Sequence, residues 1–145
     1  MGYREMAERA HDGDNEVFEV REPSGRYAPV RHYTDLEVWR MAMDVTDAVY
    51  NATKTFPKTE TFGLASQLQR AAISIPSNIA EGWGRGRSGE YVQFLRYARG
   101  SLYEVETQLR IAARRGYVEQ DTLRSLLDQT ASISRMLVAL MKALR

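Results

Sequence analysis

Cysteine is absent from this 145-residue chain, which excludes disulfides, thiolate nucleophiles and thiolate metal sites. Histidine is almost absent: His11 and His32 both precede the periodic part of the chain. A zinc site, a histidine-centred hydrolase and a di-metal bundle, which needs Glu-x-x-His pairs on its helices, are therefore not expected. No apolar run approaches the roughly 18 residues of a membrane span. The opening residues, MGYREMAERAHDGDNE, lack the apolar core of a signal peptide. Gly82, Gly84, Gly86 and Gly89 follow no strand and lack the G-x-x-x-x-G-K-[ST] spacing of a phosphate loop. These absences predict a non-enzymatic cytoplasmic protein with no catalytic residues, no cofactor, no metal and no membrane partner.

Charge of one sign is also scarce, with a net of only +1, but it is unevenly spread. Residues 1–33 carry five Arg against seven Asp/Glu, whereas residues 34–145 carry fifteen Arg/Lys against twelve. A mildly acidic tail thus precedes a mildly basic domain. A hydrophobic content of 43% with 27% charged residues suits one globular domain with a real core. Residues 1–33 mix charges with Gly and Pro without sustained period and are expected to be a mostly flexible tail. Val17, Phe18 and Val20 could supply a short docking strand within it.

From residue 34 onward the period is helical. T-D-L-E places Thr34 as an N-cap with Glu37 three residues on, a capping box that predicts the first helix. Leu36, Trp39, Met43, Thr46 and Tyr50 make one stripe of that helix, and Val38, Ala42, Val45 and Val49 a second. Together they cover about half the circumference, wider than the ~100° arc of an ordinary surface helix. The excess assigns Val38, Trp39, Val45 and Val49 to an interface between copies of the chain. Phe56-Pro57 closes the segment. A second helix is expected from Thr59 to Thr61, through Leu64, Leu68, Ala72, Ile75 and Ile79. A third starts near Ser88, passes Tyr91, Leu95, Ala98, Leu102, Val105, Leu109 and Ala112, and ends at Arg114-Arg115-Gly116. The fourth runs from about Glu119 through Leu123, Leu127, Thr130, Ile133, Leu137, Leu140 and Leu144. Short turns between such helices predict an all-α, antiparallel up-down four-helix bundle over residues 34–145.

Pro76 interrupts the second helix and removes the N–H partner of the Ala72 carbonyl, at a cost of roughly 3 kcal/mol. The slim residues Ala98, Gly100 and Ser101 are expected opposite it, allowing the second and third helices to approach closely. Arg70, Ser74, Asn78 and Glu81 fall on one polar edge, with Ser101 and Glu104 expected to face them. They read as an inter-helix polar network, including an Arg70–Glu104 ion pair, rather than as acid–base machinery. Arg85 and Arg87 sit in the glycine turn, and Arg96, Arg99, Arg110 and Arg114 follow on the third helix among Tyr91, Tyr97 and Tyr103. Cations interleaved with aromatic rings suit RNA or single-stranded DNA. Arg85, Arg87, Arg96 and Arg99 form the expected phosphate-facing set; a protein-binding adaptor without nucleic acid is the competing reading.

The strings Y-T-D-L-E-V-W, S-I-P-S-N-I-A-E-G (Ser74 to Gly82) and A-R-G-S-L-Y-E (Ala98 to Glu104) carry a resemblance over Tyr33 to Arg145. The chain resembles the four-helix-bundle family whose founding members are encoded by intervening sequences in bacterial 23S rRNA genes. More distantly it is similar to accessory variability proteins of diversity-generating retroelements, which bind a reverse transcriptase and its RNA. The resemblance implies an up-down bundle, a homo-oligomer of five subunits, no enzyme activity, and partners drawn from RNA, a ribonucleoprotein or a protein such as a reverse transcriptase.

Overall fold

The computed structural model describes residues 18–21, 27–86 and 89–144. Among these, four α-helices follow a short β-hairpin: β1 (Phe18–Arg21), β2 (Tyr27–Val30), α1 (Glu37–Thr53), α2 (Leu64–Gly84), α3 (Gly89–Arg114) and α4 (Gln120–Ala143). Each helix packs on two neighbours, α1 on α2, α2 on α3, α3 on α4, and α4 back on α1. That closed square is the antiparallel up-down arrangement that short connections impose. α2 and α3 share the most extensive contact.

The hairpin pairs Phe18 with Val30 and Arg21 with Tyr27, placing strands where the sequence allowed a docking segment. Val30 is buried in the bundle core, so its burial ties the hairpin to the helices. Residues 1–17 and 22–26 of the expected tail, His11 among them, lie outside the described residues.

Entry to α1 differs from expectation. Thr34 does not cap it; Tyr33–Asp35 form a 3-10 turn and Leu36 stands at the N-cap. The Asp35 carboxylate accepts hydrogen bonds from the backbone N–H groups of Arg31 (3.0 Å) and His32 (3.1 Å). Those bonds, that of Arg31 first, hold the Asp35 carboxyl below its ordinary value of 3.8. The Thr34 hydroxyl meets His32 Nδ1 at 2.9 Å instead. The Asp35 carboxylate thus holds the entry to the 3-10 turn, and Leu36 at the N-cap of α1 supplies no side-chain cap.

α2 starts at Leu64, later than Thr59–Thr61, because Lys58–Glu60 wind a 3-10 turn first. Glu60 then serves as the cap, its Oε2 accepting from Leu64 N–H at 3.0 Å. α3 ends as its sequence predicts. Gly116 adopts φ 76°, Tyr117 N–H bonds Ala112 C=O at 2.9 Å, and Gly116 N–H bonds Ala113 C=O at 3.0 Å. This is the paired closure of a Schellman end, and it requires the left-handed conformation that glycine accepts without strain. On α4 the deepest seam is Leu126, Thr130, Ile133 and Leu137; Leu123 and Leu127 are half-buried.

The assignment of α1 residues to an oligomer face is overturned for three of four. Val38, Val45 and Val49 are 4%, 0% and 0% exposed, inside the bundle. Trp39 is half-buried, its ring edge-on to Tyr33 at 5.4 Å. A second apolar stripe gave α1 enough width to touch both α2 and α4, so its arc is consumed within one subunit. What remains outward on α1 is Met43 and Tyr50, 40% and 42% exposed.

Pro76 is buried within α2 and is answered from α1, not from α3. Thr46 Oγ1 lies 3.2 Å from the Ala72 carbonyl that the proline orphans, and 2.8 Å from Ala42 C=O in its own helix. One hydroxyl proton therefore serves both carbonyls. The close approach of α2 to α3 occurs at Gly82, where an added Cβ would sit 2.7 Å from Tyr91 Cδ2 and 2.9 Å from Phe94 Cβ. Gly100, expected at that seam, points outward with nothing within 4 Å.

Candidate nucleic-acid interface

Of the four arginines expected to act together, the three described ones are divided by the packing. Arg85, one residue past α2, pairs with Glu81 at 3.2 Å and lays its guanidinium 5.1 Å from the centre of the Phe94 ring. Its i,i+4 ion pair is solvent-exposed and contributes about 0–1 kcal/mol. Arg87 lies outside the described residues. Arg96 is exposed, with Nη1 at 3.5 Å from Gln93 Oε1. Arg99 is half-buried and donates from Nε to the Tyr103 hydroxyl at 3.1 Å, which in turn lies 3.4 Å from Ser134 on α4. The bonds from Ser134 and then Arg99 lower the Tyr103 pKa from its ordinary 10.0. At 100° per residue, Phe94 and Arg99 stand about 140° apart around α3. Arg85 thus belongs to the α2 side of α3, and Arg96 and Arg99 to the α4 side.

A different set does share one flank. Arg96, Arg99, Tyr103, Arg110 and Arg114 recur at spacings of three to seven residues, the repeat that keeps side chains on one helical stripe. Arg96 to Arg114 spans about 27 Å at the helical rise of ~1.5 Å per residue. Across the seam, Ser134 and Thr130 of α4 face α3, the latter donating to Glu106 at 2.8 Å. Arg124, Arg135 and Lys142 are exposed on one outward stripe of α4, about 80–100° around from Ser134. Arg124 is partly neutralised by Asp121 at 3.4 Å. The α4 cations stand about a quarter turn from the seam residue Ser134 and did not stand out in the sequence, where Asp121 and Asp128 interleave them.

The other flank of α3 is polar and charge-balanced. Ser74 Oγ accepts from Ser101 Oγ at 2.9 Å and from Asn78 Nδ2 at 2.9 Å, and Asn78 Nδ2 also donates to Ser74 C=O at 2.8 Å. Arg70 and Glu104 do not form the expected ion pair; both line an open groove of about 280 Å³ with Gln67, Ala71, Ser74, Ser101 and Gln108. Glu81 is engaged by Arg85 rather than by this group. Gln108 Oε1 is buried and has no hydrogen-bond partner. Among the described residues, no three His, Asp or Glu side chains gather as metal ligands would. No helix among them is long and apolar enough to cross a membrane.

These features define an up-down four-helix bundle with a basic α3/α4 flank and a polar α2/α3 groove. Residues 34–139 match the family described as 23S rRNA-intervening sequence protein, and the chain belongs to that family. In three dimensions it is similar to the crystal structure of a protein of unknown function from the S23 ribosomal protein family of Bacteroides thetaiotaomicron. The TM-score is 0.66 at 20% identity, covering 72% of this chain and 95% of the other, a likeness of fold. No curated protein matches the chain.

Proposed function

We propose that this chain is a non-catalytic, homo-oligomeric bundle protein of the cytoplasm that holds RNA or a ribonucleoprotein by its phosphates. The carrying observation is the arginine stripe of α3, Arg96, Arg99, Arg110 and Arg114, flanked by the α4 cations. Guanidinium groups strung along one face track a phosphate backbone and need no base contact to do so. Membership of a family named for an rRNA intervening sequence is consistent with an RNA partner. Filter binding of a structured RNA across a salt series tests it. Four or more phosphate contacts require log K to fall with a slope of about −3 or steeper against log salt. Arg96→Ala with Arg110→Ala should flatten that slope by about 2. Binding that is absent, or indifferent to salt, refutes the reading; single-stranded DNA as competitor ranks the two nucleic acids.

A ring of five, as the family resemblance implies, would use the side chains the bundle leaves outside. Met43 and Tyr50 on α1 and Ile73 on α2 remain exposed. Light scattering at micromolar concentration tests this, and a monomer refutes it. The same exposed side chains favour the adaptor as second reading, with a protein such as a reverse transcriptase as partner. A single polypeptide that copurifies after nuclease treatment would support it.

A further inference from the structure

We propose that the groove between α2 and α3 receives the edge of an unpaired guanine base, an inference that rests on the RNA reading above. Its hydrogen-bonding groups are uncommitted in a specific pattern. Glu104 and Gln108 are four residues apart on α3 and line the same groove. Both present acceptors: a carboxylate with no ion pair to Arg70, and a buried amide oxygen without a partner. A buried acceptor left unmade destabilises the fold, and a turn of the Gln108 side chain into the groove would bring Oε1 within reach of a ligand N–H that satisfies it. Opposite them on α2, Arg70 presents only donors. The lone pairs of Ser74 Oγ already serve Ser101 and Asn78, leaving its own proton to donate.

Guanine matches this division. Its N1–H and N2–H₂ donors lie side by side for Glu104 and Gln108, and its adjacent O6 and N7 acceptors suit the fork of Arg70. Adenine reverses the pattern, placing an N1 lone pair against a carboxylate and an amine against a guanidinium. A zwitterionic amino acid would satisfy the same charges, so glycine serves as the competitor that tells the two apart. Tyr97 lies one turn from Ser101 on the same stripe, half-exposed, its ring edge-on to Phe94 at 5.4 Å, so a face is free to stack. Gly100, bare of side chain on the ridge between groove and arginine stripe, leaves a low crossing from phosphate contacts to base contact.

The test titrates the intact ¹⁵N-labelled protein with guanosine 5′-monophosphate and adenosine 5′-monophosphate. The expected result is GMP-induced shifts at the Gln108 side-chain amide and at Ser101 and Glu104. GMP should bind about fivefold or more tighter than AMP, the low end of what a bidentate base contact supplies. Glu104→Gln, at an exposed position, should erase the preference, and Gln108→Met should weaken GMP while the helical spectrum is retained. Inosine 5′-monophosphate, which lacks the N2 amine, should fall between. Equal response to GMP and AMP, no response at the groove, an unaltered preference in Glu104→Gln, or displacement of GMP by glycine overturns the proposal. Steeply salt-dependent RNA binding without a GMP response removes the guanine site alone. A GMP response without RNA binding removes the RNA reading alone.

Discussion

Two glycine-to-alanine substitutions within helices should move stability in opposite directions. In a helix interior, Ala is favoured over Gly by about 1 kcal/mol through backbone entropy. Gly100→Ala on α3 meets nothing within 4 Å and should collect that gain in full. Gly82→Ala on α2 collects the same gain but places Cβ 2.7 Å from Tyr91 Cδ2 and 2.9 Å from Phe94 Cβ. Neither neighbour can yield locally. The Tyr91 ring is only 3% exposed, and Phe94 Cβ is fixed to the α3 backbone, so relief requires the helices to move apart. Overpacking of this kind costs about 1–3 kcal/mol, and the rigid neighbours argue for the upper half. Net destabilisation of about 1–2 kcal/mol is expected, placing the two variants about 2–3 kcal/mol apart. Urea denaturation followed by circular dichroism, at one protein concentration so that any association cancels, measures both. If Gly82→Ala is as stable as Gly100→Ala, the helices do not approach at Gly82 as described.

Thr46→Val should cost about 1–3 kcal/mol by stranding the Ala72 carbonyl, and Pro76→Ala should relieve that loss by restoring an intrahelical donor. A double-mutant cycle in urea reads the coupling; additivity within about 0.5 kcal/mol would refute the Thr46 bridge. The Asp35 carboxyl is depressed on folding, so its contribution is present above the ordinary value of 3.8 and is lost as pH falls through its lower folded value. Carboxyl NMR titration should find it below that value, with the Arg31 and His32 amide protons moving in step; an undepressed midpoint would remove the cap. Arg85→Ala should alter the RNA salt slope less than Arg99→Ala, since Arg85 sits on the other flank beside Glu81 and Phe94; equal losses in filter binding would reunite the two.

Much of the fold was readable because local rules are strong over long helices. The α3 period and its Gly116 stop leave one conformation open. Boundaries near polar turns were less legible, since Thr34, Asp35 and Glu60 are all competent caps and the choice depends on which backbone donors the turn presents. In the polar network, Ser74, Asn78 and Ser101 meet, whereas Arg70 and Glu104 share a groove without pairing. Spacing brings side chains to a common face but does not specify the last few ångströms across a helix pair. The width of the apolar arc on α1 was likewise visible, but a wide arc can serve two neighbours within a bundle or a neighbour outside it.

By itself, then, the order of residues determined the number of helices, their sense and the apolar face of each, because those follow from periodicity and caps within a few turns of chain. Only tertiary packing decided that Val38, Val45 and Val49 face inward, that Thr46 answers Pro76, and that Arg85 stands apart from Arg96 and Arg99. Those outcomes depend on the rotation of each helix about its own axis, which is settled by the joint fit of side chains from all four helices and is written in no one segment.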